Sequence, residues 1–422
     1  MASFLNQFIN DAILHDATDY LENFLFEPKS QVGSGYAYED DYSSNLLITR
    51  ADSMFALASR KDHFIDWVRK NWEQLAPHYP DLDVNESAFL PRSLFGSYLE
   101  KLYDDAVDMA AMHGISFRLV RDYVEDIVPL NGGRFCIDTS TYGAFESDRV
   151  VLCLGNFAST AFDHLRGSTG FINNPYPGKM LTRTIPPESS VCVLGTSLSA
   201  IDTAISLTEN GHKGKILCVS RNGRLPSVRG QLNLPVTLQE CTPDKIDAFV
   251  LRNGSLTLDH IAQMLAKEYH QQTGDPLDLN AVLNQETGTY DYLNTEIELS
   301  SKEQRFWQSV IYATNSVIDH IWNRLALQEK RTFYSSLKSL WTSYRVSFPL
   351  KNAVKMRELM RKDRVSVYGG LVSVSKAEDS LPFAVKINDT RTGLRSTFKC
   401  DVVVTPDVKI VVASIEPRTR GR

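Results

Sequence analysis

The sequence lacks the cysteine and histidine spacings of metal centres and disulfide frameworks. Its six cysteines include no C-x-x-C pair, and its nine histidines form neither an H-E-x-x-H nor an H-x-H motif. Four of the cysteines lie in apolar, strand-like runs, where a reduced thiol packs as a small hydrophobic side chain. We therefore predict no bound metal and buried, reduced cysteines.

The sequence also lacks long apolar runs and an excess of basic residues. No run approaches the roughly 20 apolar residues that a membrane-spanning helix needs. The start MASFLNQFINDAILHD has neither the basic residues nor the apolar centre of a secretion signal. A net charge of -6 provides no field that favours nucleic acid or anionic lipid. These absences predict a cytoplasmic protein without a nucleic-acid or membrane partner, and leave its oligomeric state open.

What the sequence does contain is the alternation of strands and helices of an α/β protein. At 422 residues with 43% hydrophobic residues, the chain is long enough for more than one domain. Amphipathic patterns predict helices within residues 1–23, 62–75, 92–112 and 302–341. Apolar runs predict strands at 24–26, 116–120, 134–138, 149–154, 191–194 and 216–219, and further strands after residue 364.

The stretch VCVLGTSLSAIDTAISL joins an apolar strand to a helix through a turn of small residues. A helix N-terminus at such a turn presents unpaired N–H groups and the positive end of the helix dipole, which together favour a phosphate. Gly195 permits a tight turn, and Ser197 and Ser199 offer hydroxyl donors. Ala200 is small enough for the helix to pack closely on the strand. The pattern predicts a dinucleotide-binding turn, with a purely structural strand-to-helix turn as the alternative.

The next apolar strand, 216–219, ends in Ser220 and Arg221. A carboxylate at this place would accept a hydrogen bond from the ribose 2′-hydroxyl of NAD, whereas serine and arginine suit a 2′-phosphate. We therefore predict NADPH rather than NADH, with Ser220 and Arg221 as ligands. The alternative is that Arg221 and Arg224 belong to a solvated basic loop.

Several further motifs resemble those of bacterial FAD/NAD(P)-binding flavoproteins, the group that includes FAD-dependent urate hydroxylase. FEPKSQVGSGYAY is similar to the end of the family's second FAD-domain strand and its G-x-G-x-A-Y loop. PRSLFGSYL resembles the family's P-R-x-x-x-G-x-Y-L helix, and VVLCLGN resembles its V-V-L-A-T-G-N strand. VSRNGRLP is similar to its S-R-x-G-x-L-P motif. These matches stay in order over most of the chain.

The resemblance implies roles for residues in the first part of the chain. Glu27 would contact the FAD adenosine ribose, the loop from Gly33 to Gly35 would lie near the flavin or pyrophosphate, and Gly155 and Asn156 would close over the cofactor. In such enzymes NADPH reduces the flavin, and the reduced flavin reacts with oxygen to hydroxylate a small molecule. Because the cofactor supplies this chemistry, we identify no catalytic side chain.

The implied fold is α/β, with two Rossmann-like dinucleotide-binding domains and the NADP domain inserted in an incomplete FAD domain. We expect residues 1–165 to form the first part of the FAD-type domain, 166–361 the NADP-binding domain with a helical region, and 362–422 the return part. The family's first strand and G-x-G-x-x-G are expected ahead of Met1, and the late D-x-V-V-x-A-T-G strand lacks its glycine here. The FAD site is therefore expected to be incomplete.

Three functions fit these patterns. The first is an FAD- and NADPH-dependent oxidoreductase, such as a small-molecule hydroxylase. The second is a noncatalytic nucleotide-binding relative that has lost its FAD site. The third is an N-hydroxylating monooxygenase acting on lysine or ornithine, which would share the architecture of two nucleotide-binding domains.

Overall fold

The chain is an α/β protein that divides into two compact units. The computed structural model describes residues 1–155, 157–230, 235–278, 288–302, 305–377, 382–406 and 408–409. Unit 1 comprises residues 1–161, 176–181 and 408–422, and unit 2 comprises 162–175 and 182–407. Among the described residues, no helix is both long and apolar enough to cross a bilayer. The predicted boundaries of the FAD-type and NADP-binding domains stay a prediction. The two units describe how compactly the chain packs, and they do not show which cofactor each part binds.

The described residues of unit 1 up to position 161 form four α-helices and several short strands. Its helices are α1 Ala2–Leu14, α2 His63–Lys70, α3 Trp72–Leu75 and α4 Arg92–Met112. Its strands are β1 Glu22–Phe26, β2 Ser116–Val120, β3 Val124–Pro129, β4 Phe135–Thr139, β5 Gly143–Ser147 and β6 Phe157–Ala158. Single 3-10 turns occur at Thr18–Tyr20, Tyr36–Tyr38, Ala51–Ser53, Ala76–His78 and Asn131–Gly133.

Helix α4 is the centre of unit 1. Its residues Leu102 and Ala106 pack against Leu5 and Ile9, which lie on the buried face of α1 because they are four residues apart. Nearer its N-terminus, α4 joins a second cluster with α2, in which Phe64 is fully buried. Helix α1 thus packs against the C-terminal half of α4, and α2 packs against its N-terminal half.

Strand β1 pairs in parallel with β2, from Glu22 opposite Ser116 to Phe26 opposite Val120. The separate antiparallel sheet β3-β4-β5 contacts this pair through Phe145, whose ring centroid lies 5.4 Å from that of Phe24 and 5.2 Å from that of Phe26.

The strand predicted at 149–154 is wrong, because residues 148–155 contain no strand. This run, RVVLCL, is apolar enough for a strand, but Val151 is 56% exposed and Leu154 50% exposed. A strand is defined by pairing with a neighbour, and among the described residues this run has no paired neighbour.

The remaining helices and strands follow in chain order. The helices are α5 Gly178–Thr184, α6 Leu198–Glu209, α7 Pro243–Asn253, α8 Leu258–Thr273, α9 Thr289–Lys302, α10 Phe306–Ala313, α11 Ile318–Arg324, α12 Leu327–Thr332, α13 Lys338–Arg345 and α14 Leu350–Arg361, with 3-10 turns at Asp163–Leu165 and Thr314–Ser316 and a π-helical turn at Phe333–Leu337. The strands are β7 Phe171–Ile172, β8 Val191–Val193, β9 Ile216–Val219, β10 Val365–Tyr368, β11 Leu371–Lys376, β12 Phe383–Asn388, β13 Arg395–Cys400, β14 Val402–Val404 and β15 Val408–Lys409.

Unit 2 is built on a five-stranded parallel sheet with the order β10-β9-β8-β14-β7. Every residue of β8 and β14 is buried, as expected for inner strands of a parallel sheet that is covered on both faces. From β8 the chain passes through α6 to β9, and β10 then lies on the far side of β9. This order is that of a dinucleotide-binding half, in which ligands bind at the carboxyl ends of the strands. The antiparallel sheet β11-β12-β13 packs into the same core.

Candidate functional site

The first candidate site lies in unit 1 at the end of β1. The Glu27 N–H donates to the Val120 carbonyl at 3.1 Å, which extends the β1–β2 pairing by one residue. The Glu27 carboxylate accepts a hydrogen bond from the Lys29 N–H at 3.1 Å and keeps further acceptor capacity on its two oxygens. A carboxylate therefore lies at the carboxyl end of a parallel strand, and its contact with a ribose stays a prediction.

The loop that follows contains two glycines with positive φ, for different reasons. A Cβ on Gly33 (φ +120) would lie 2.8 Å from the Leu99 carbonyl oxygen, so the loop contacts α4 at a distance that only glycine allows. A Cβ on Gly35 (φ +62) would meet no atom within 4 Å. Gly33 therefore lets the loop pack directly against α4. Gly35 leaves its backbone uncovered by side chains, beside the cavity described next.

A cavity of about 1160 Å³ in unit 1 brings the predicted residues of this half together. Its lining includes Glu27, Gly33, Gly35 and Gly155, which are distant in sequence. The cavity also contacts β1 and the exposed run 149–154. Asn156, the other predicted residue here, lies outside the described residues.

The second candidate site lies in unit 2, at the turn between β8 and α6. Ser197 is the N-cap residue of α6 in extended conformation, and no side chain in the described part of the chain caps this helix. The Ala200 N–H donates to the Ser197 carbonyl at 3.0 Å, so the N–H groups of Leu198 and Ser199 are the ones left without a backbone partner among the described residues. Ala200 is buried, and a Cβ on Gly195 would lie 3.9 Å from the Ala200 Cβ. The small residues thus let the helix lie close to the turn, as predicted.

The end of β9 is tied to this turn by hydroxyl groups. Thr196 Oγ1 lies 3.0 Å from Ser220 Oγ and donates to the Arg224 carbonyl at 2.6 Å. Ser220 Oγ also accepts from the Gly223 N–H at 2.9 Å, so this hydroxyl shapes the loop. Ser199 is half-buried in the first turn of α6, whereas Arg221 is exposed. The structure therefore brings Ser220 beside the Gly195 turn and leaves the Arg221 side chain at the surface.

A second cavity, of about 390 Å³, lies beside the loop after β9 and contains polar groups that the sequence did not single out as ligands. Its lining includes Arg224, Tyr292 and Arg391. Within the described residues, Arg224 Nη1 and Tyr292 Oη are buried and have no hydrogen-bond partner. Burial raises the pKa of the Tyr292 hydroxyl, which keeps it a neutral donor. A sequence signal exists for Arg224, which is a basic residue three positions after Arg221. No signal in the sequence indicated Tyr292, which lies on α9.

Buried charges hold the segment that follows Arg224. Glu296 Oε2 accepts from the Val228 N–H at 2.8 Å, and Arg305 Nη1 donates to the Val228 carbonyl at 3.1 Å. Glu296 and Arg305 also form an ion pair with N–O distances of 2.6 and 2.7 Å. Gln308 donates to the same carbonyl at 2.8 Å. We call Glu296, Arg305 and Gln308 the Val228 clamp, and it fixes the backbone just after the second cavity.

All six cysteines are free, and four of them are buried. Cys192, Cys218, Cys241 and Cys400 are buried and free, which confirms the prediction of buried thiols for these four, whereas Cys136 is half-buried. Burial raises the pKa of Cys218 to about 12, so its thiol stays protonated and unreactive. Cys153 is exposed, so the prediction of buried thiols is wrong there, because its run is not paired into a sheet. No group of three or more His, Cys, Asp or Glu side chains in the described ranges could hold a metal ion.

Residues 2–157 match a family model described as FAD-NAD(P)-binding. The matched segment contains every residue that lines the first cavity except Met1. No curated protein matches the chain.

Solved structures resemble this chain over most of its length. Ornithine hydroxylase from Pseudomonas aeruginosa, in its reduced form, superimposes with a TM-score of 0.53 at 12% identity, over 96% of this chain and 78% of that one. The chain shares the fold of ornithine hydroxylase. L-Lysine 6-monooxygenase from Pseudomonas syringae has a TM-score of 0.46 at 13% identity, over 95% of this chain and 77% of that one. The α/β prediction is confirmed by the model and by the first of these similarities.

The residues present fit parts of two dinucleotides. In unit 1, a carboxylate at a strand end and the open backbone at Gly35 suit a ribose and its neighbouring phosphate. In unit 2, the uncapped N-terminus of α6 suits a pyrophosphate, and the unpaired Arg224 Nη1 suits a further anionic group.

Proposed function

We propose that this protein is an FAD- and NADPH-dependent oxidoreductase of the small-molecule monooxygenase type. The observation that carries the proposal is the first cavity, which gathers Glu27, Gly33, Gly35 and Gly155 from separate parts of the segment that matches the FAD-NAD(P)-binding model. A wide, partly apolar cavity with a carboxylate and open backbone at one end is a suitable site for a dinucleotide.

The roles we assign follow the geometry. Glu27 accepts from ribose hydroxyls, and the loop around Gly35 and the turn at Gly155 admit a phosphate or the flavin close to the backbone. In unit 2, the N–H groups after Ser197 bind the NADPH pyrophosphate, with Ser197 and Ser199 as added donors. A bound flavin supplies the redox chemistry, and the residues of this chain bind and orient the cofactors.

We assign the preference for NADPH to Arg224 as well as Arg221. Arg224 is half-buried with one unpaired guanidinium nitrogen, in a cavity at the carboxyl ends of β9 and β10. A guanidinium nitrogen that has no partner in the described residues gives up no bond when it binds a 2′-phosphate, and the charge-assisted bonds are strong.

The first test is the visible absorption spectrum of the purified full chain, before and after FAD is added, followed by anaerobic NADPH. We expect a flavin spectrum that NADPH bleaches. Glu27→Gln is the matched variant, since it keeps the size of the side chain and removes the charge. It should weaken FAD binding and leave NADPH binding unchanged.

A colourless chain that takes up no FAD but still binds NADPH would overturn the oxidoreductase proposal. That outcome would favour the alternative of a noncatalytic nucleotide-binding protein. If the chain binds neither cofactor, both the oxidoreductase and the nucleotide-binding proposals are wrong. The Gly195 turn would then be a structural strand-to-helix turn only.

Arg224→Ala tests the nucleotide preference. Hydrogen bonds to charged groups contribute about 1.5–3 kcal/mol, so we expect the Kd for NADPH to rise about 10- to 100-fold and the Kd for NADH to change little. Arg252→Ala, at an exposed arginine of α7 in the same unit, is the control. Equal losses for NADPH and NADH would contradict the assignment of Arg224 to the 2′-phosphate.

L-Ornithine and L-lysine are the first compounds to assay, because ornithine hydroxylase and L-lysine 6-monooxygenase are among the similar structures. Urate comes next, because of the resemblance of the sequence motifs to urate hydroxylases. We also propose that the protein acts in the cytoplasm.

A further inference from the structure

The second cavity has a positively charged lining. Arg224 lines it from the loop after β9, and Arg391 lines it from the turn between β12 and β13. Its other polar side chains carry hydroxyl or amide groups, and none of the described residues that line the cavity is acidic. Two guanidinium groups and several neutral donors around one space suit an anion that has several oxygen atoms.

Tyr292 adds a buried donor to this lining. It lies near the N-terminus of α9 and is only 6% exposed. Among the described residues its hydroxyl has no hydrogen-bond partner, although a buried hydroxyl is normally paired. Burial, and then the charge of Glu296, raises the pKa of this hydroxyl, so its proton stays in place for donation. An oxygen atom of a ligand in the cavity would supply the partner that the hydroxyl lacks.

Close backbone packing holds the segments around the second cavity. A Cβ on Gly223 would lie 2.5 Å from the Gly369 nitrogen, and a Cβ on Gly369 would lie 2.3 Å from Thr390 Oγ1. The loops after β9 and β10 and the β12–β13 turn therefore pack at distances that only glycine allows. Asp389 Oδ1 also accepts from the Arg391 N–H at 2.8 Å, which fixes the turn. The backbone of Arg391 thus has a defined place beside the cavity.

The cavity lies beside the turn that is suited to a pyrophosphate. Thr196 Oγ1 donates to the Arg224 carbonyl at 2.6 Å, so the backbone of Arg224 lies against the turn after β8. A nucleotide whose pyrophosphate lies at the N-terminus of α6 places its ribose toward the end of the neighbouring strand, which here is β9. A volume of about 390 Å³ suits one end of a dinucleotide rather than the whole molecule.

We propose that Tyr292 and Arg391 complete, with Arg224, a binding site for the 2′-phosphate of NADPH in the second cavity. Tyr292 donates a hydrogen bond to a phosphate oxygen, and the exposed Arg391 closes the site from the β12–β13 turn. The identity of the nucleotide rests on the proposed function, whereas the preference for a phosphate rests on the lining itself. The discrimination between NADPH and NADH then depends on three segments of unit 2 that are distant in sequence.

Adenosine 2′-phosphate tests this site without flavin or electron transfer. Its Kd for the purified full chain is measured by isothermal titration calorimetry, beside those of adenosine 5′-phosphate and inorganic phosphate. We expect Tyr292→Phe and Arg391→Gln each to raise the Kd for adenosine 2′-phosphate about 10- to 100-fold and to leave that for adenosine 5′-phosphate unchanged. Tyr290→Phe on the same helix and Arg395→Gln on the same hairpin are the matched controls, because neither residue lines the cavity.

Tyr292→Phe also separates binding from folding. It removes a buried hydroxyl without a partner in the described residues, so its Tm should equal or exceed that of the native chain while its affinity falls. The proposal is overturned if Tyr292→Phe and Tyr290→Phe have the same Kd for adenosine 2′-phosphate, or if the native chain binds adenosine 5′-phosphate or inorganic phosphate as tightly. Binding of adenosine 2′-phosphate by a chain that takes up no FAD would refute the oxidoreductase function and keep this site, whereas FAD uptake with an unchanged Kd in Tyr292→Phe would do the reverse.

Discussion

The ion pair of the Val228 clamp gives the most quantitative prediction. Glu296 and Arg305 are both 7% exposed, and their closest N–O distance is 2.6 Å. Glu296→Gln keeps the size of the side chain but removes its charge, so the guanidinium stays buried without a counter-ion. Breaking a buried pair from one side costs about 3–5 kcal/mol of unfolding free energy. We expect a loss of this size for Glu296→Gln.

Removal of both charges should cost less than removal of one. Replacing a buried ion pair by apolar residues of similar volume is often close to neutral. The double variant Glu296→Met, Arg305→Met also removes the acceptor of the Val228 N–H, and an unsatisfied buried donor costs about 1–3 kcal/mol. The double variant should therefore be more stable than Glu296→Gln by about 2 kcal/mol.

The assay is equilibrium urea denaturation followed by tryptophan fluorescence. The Arg305 guanidinium lies 4.9 Å from the Trp307 ring centroid, so the emission reports on the clamp. The control is Glu188→Gln, at the exposed pair between Lys213 and Glu188, where the expected loss is about 0–1 kcal/mol. A Glu296→Gln loss as small as that of the control, or a double variant less stable than the single one, would refute the reasoning from burial.

Two further predictions concern unit 1. Gly33→Ala should lower the Tm more than Gly35→Ala, because its Cβ would lie 2.8 Å from the Leu99 carbonyl oxygen while that of Gly35 meets nothing within 4 Å; equal shifts in thermal unfolding would contradict this. Burial, and then the charge of Arg60, lowers the pKa of His63 below 6.5. The unfolded chain therefore binds the proton more tightly, so unfolding free energy is greatest above about pH 6.5 and falls below it. His63→Gln should flatten that fall between pH 7 and 5 in denaturation experiments, and an unchanged slope would show that His63 does not cause it.

The elements that could be predicted from sequence are those with long or unbroken patterns. The prediction of a helix at 92–112 is confirmed residue for residue, and so is the strand at 216–219. In the first case the apolar period repeats over many turns, and in the second an apolar run is bounded by polar residues. Such patterns specify an element locally, without knowledge of its neighbours.

The strand predicted at 149–154 shows where this reasoning fails. RVVLCL has the composition of an inner strand, but composition does not supply the neighbour that makes a strand. The helix predicted within residues 1–23 likewise ends at Leu14, before the chain turns into β1. Both differences arise because the outcome depends on residues that are distant in sequence.

The same limit explains why the motifs located the candidate sites but not all of their polar groups. Glu27 and Gly195 lie at strand ends and Gly33 lies in the loop after β1, where the order of elements along the chain already indicates a ligand. Arg224 and Tyr292 face one cavity only because α9 and the β12–β13 turn pack beside the loop after β9. Backbone donors at a strand end can serve any dinucleotide, whereas Arg224, to which we assign the preference for NADPH, lies where separate segments meet. A turn motif can therefore predict that a phosphate binds, and the packing around it determines which nucleotide carries that phosphate.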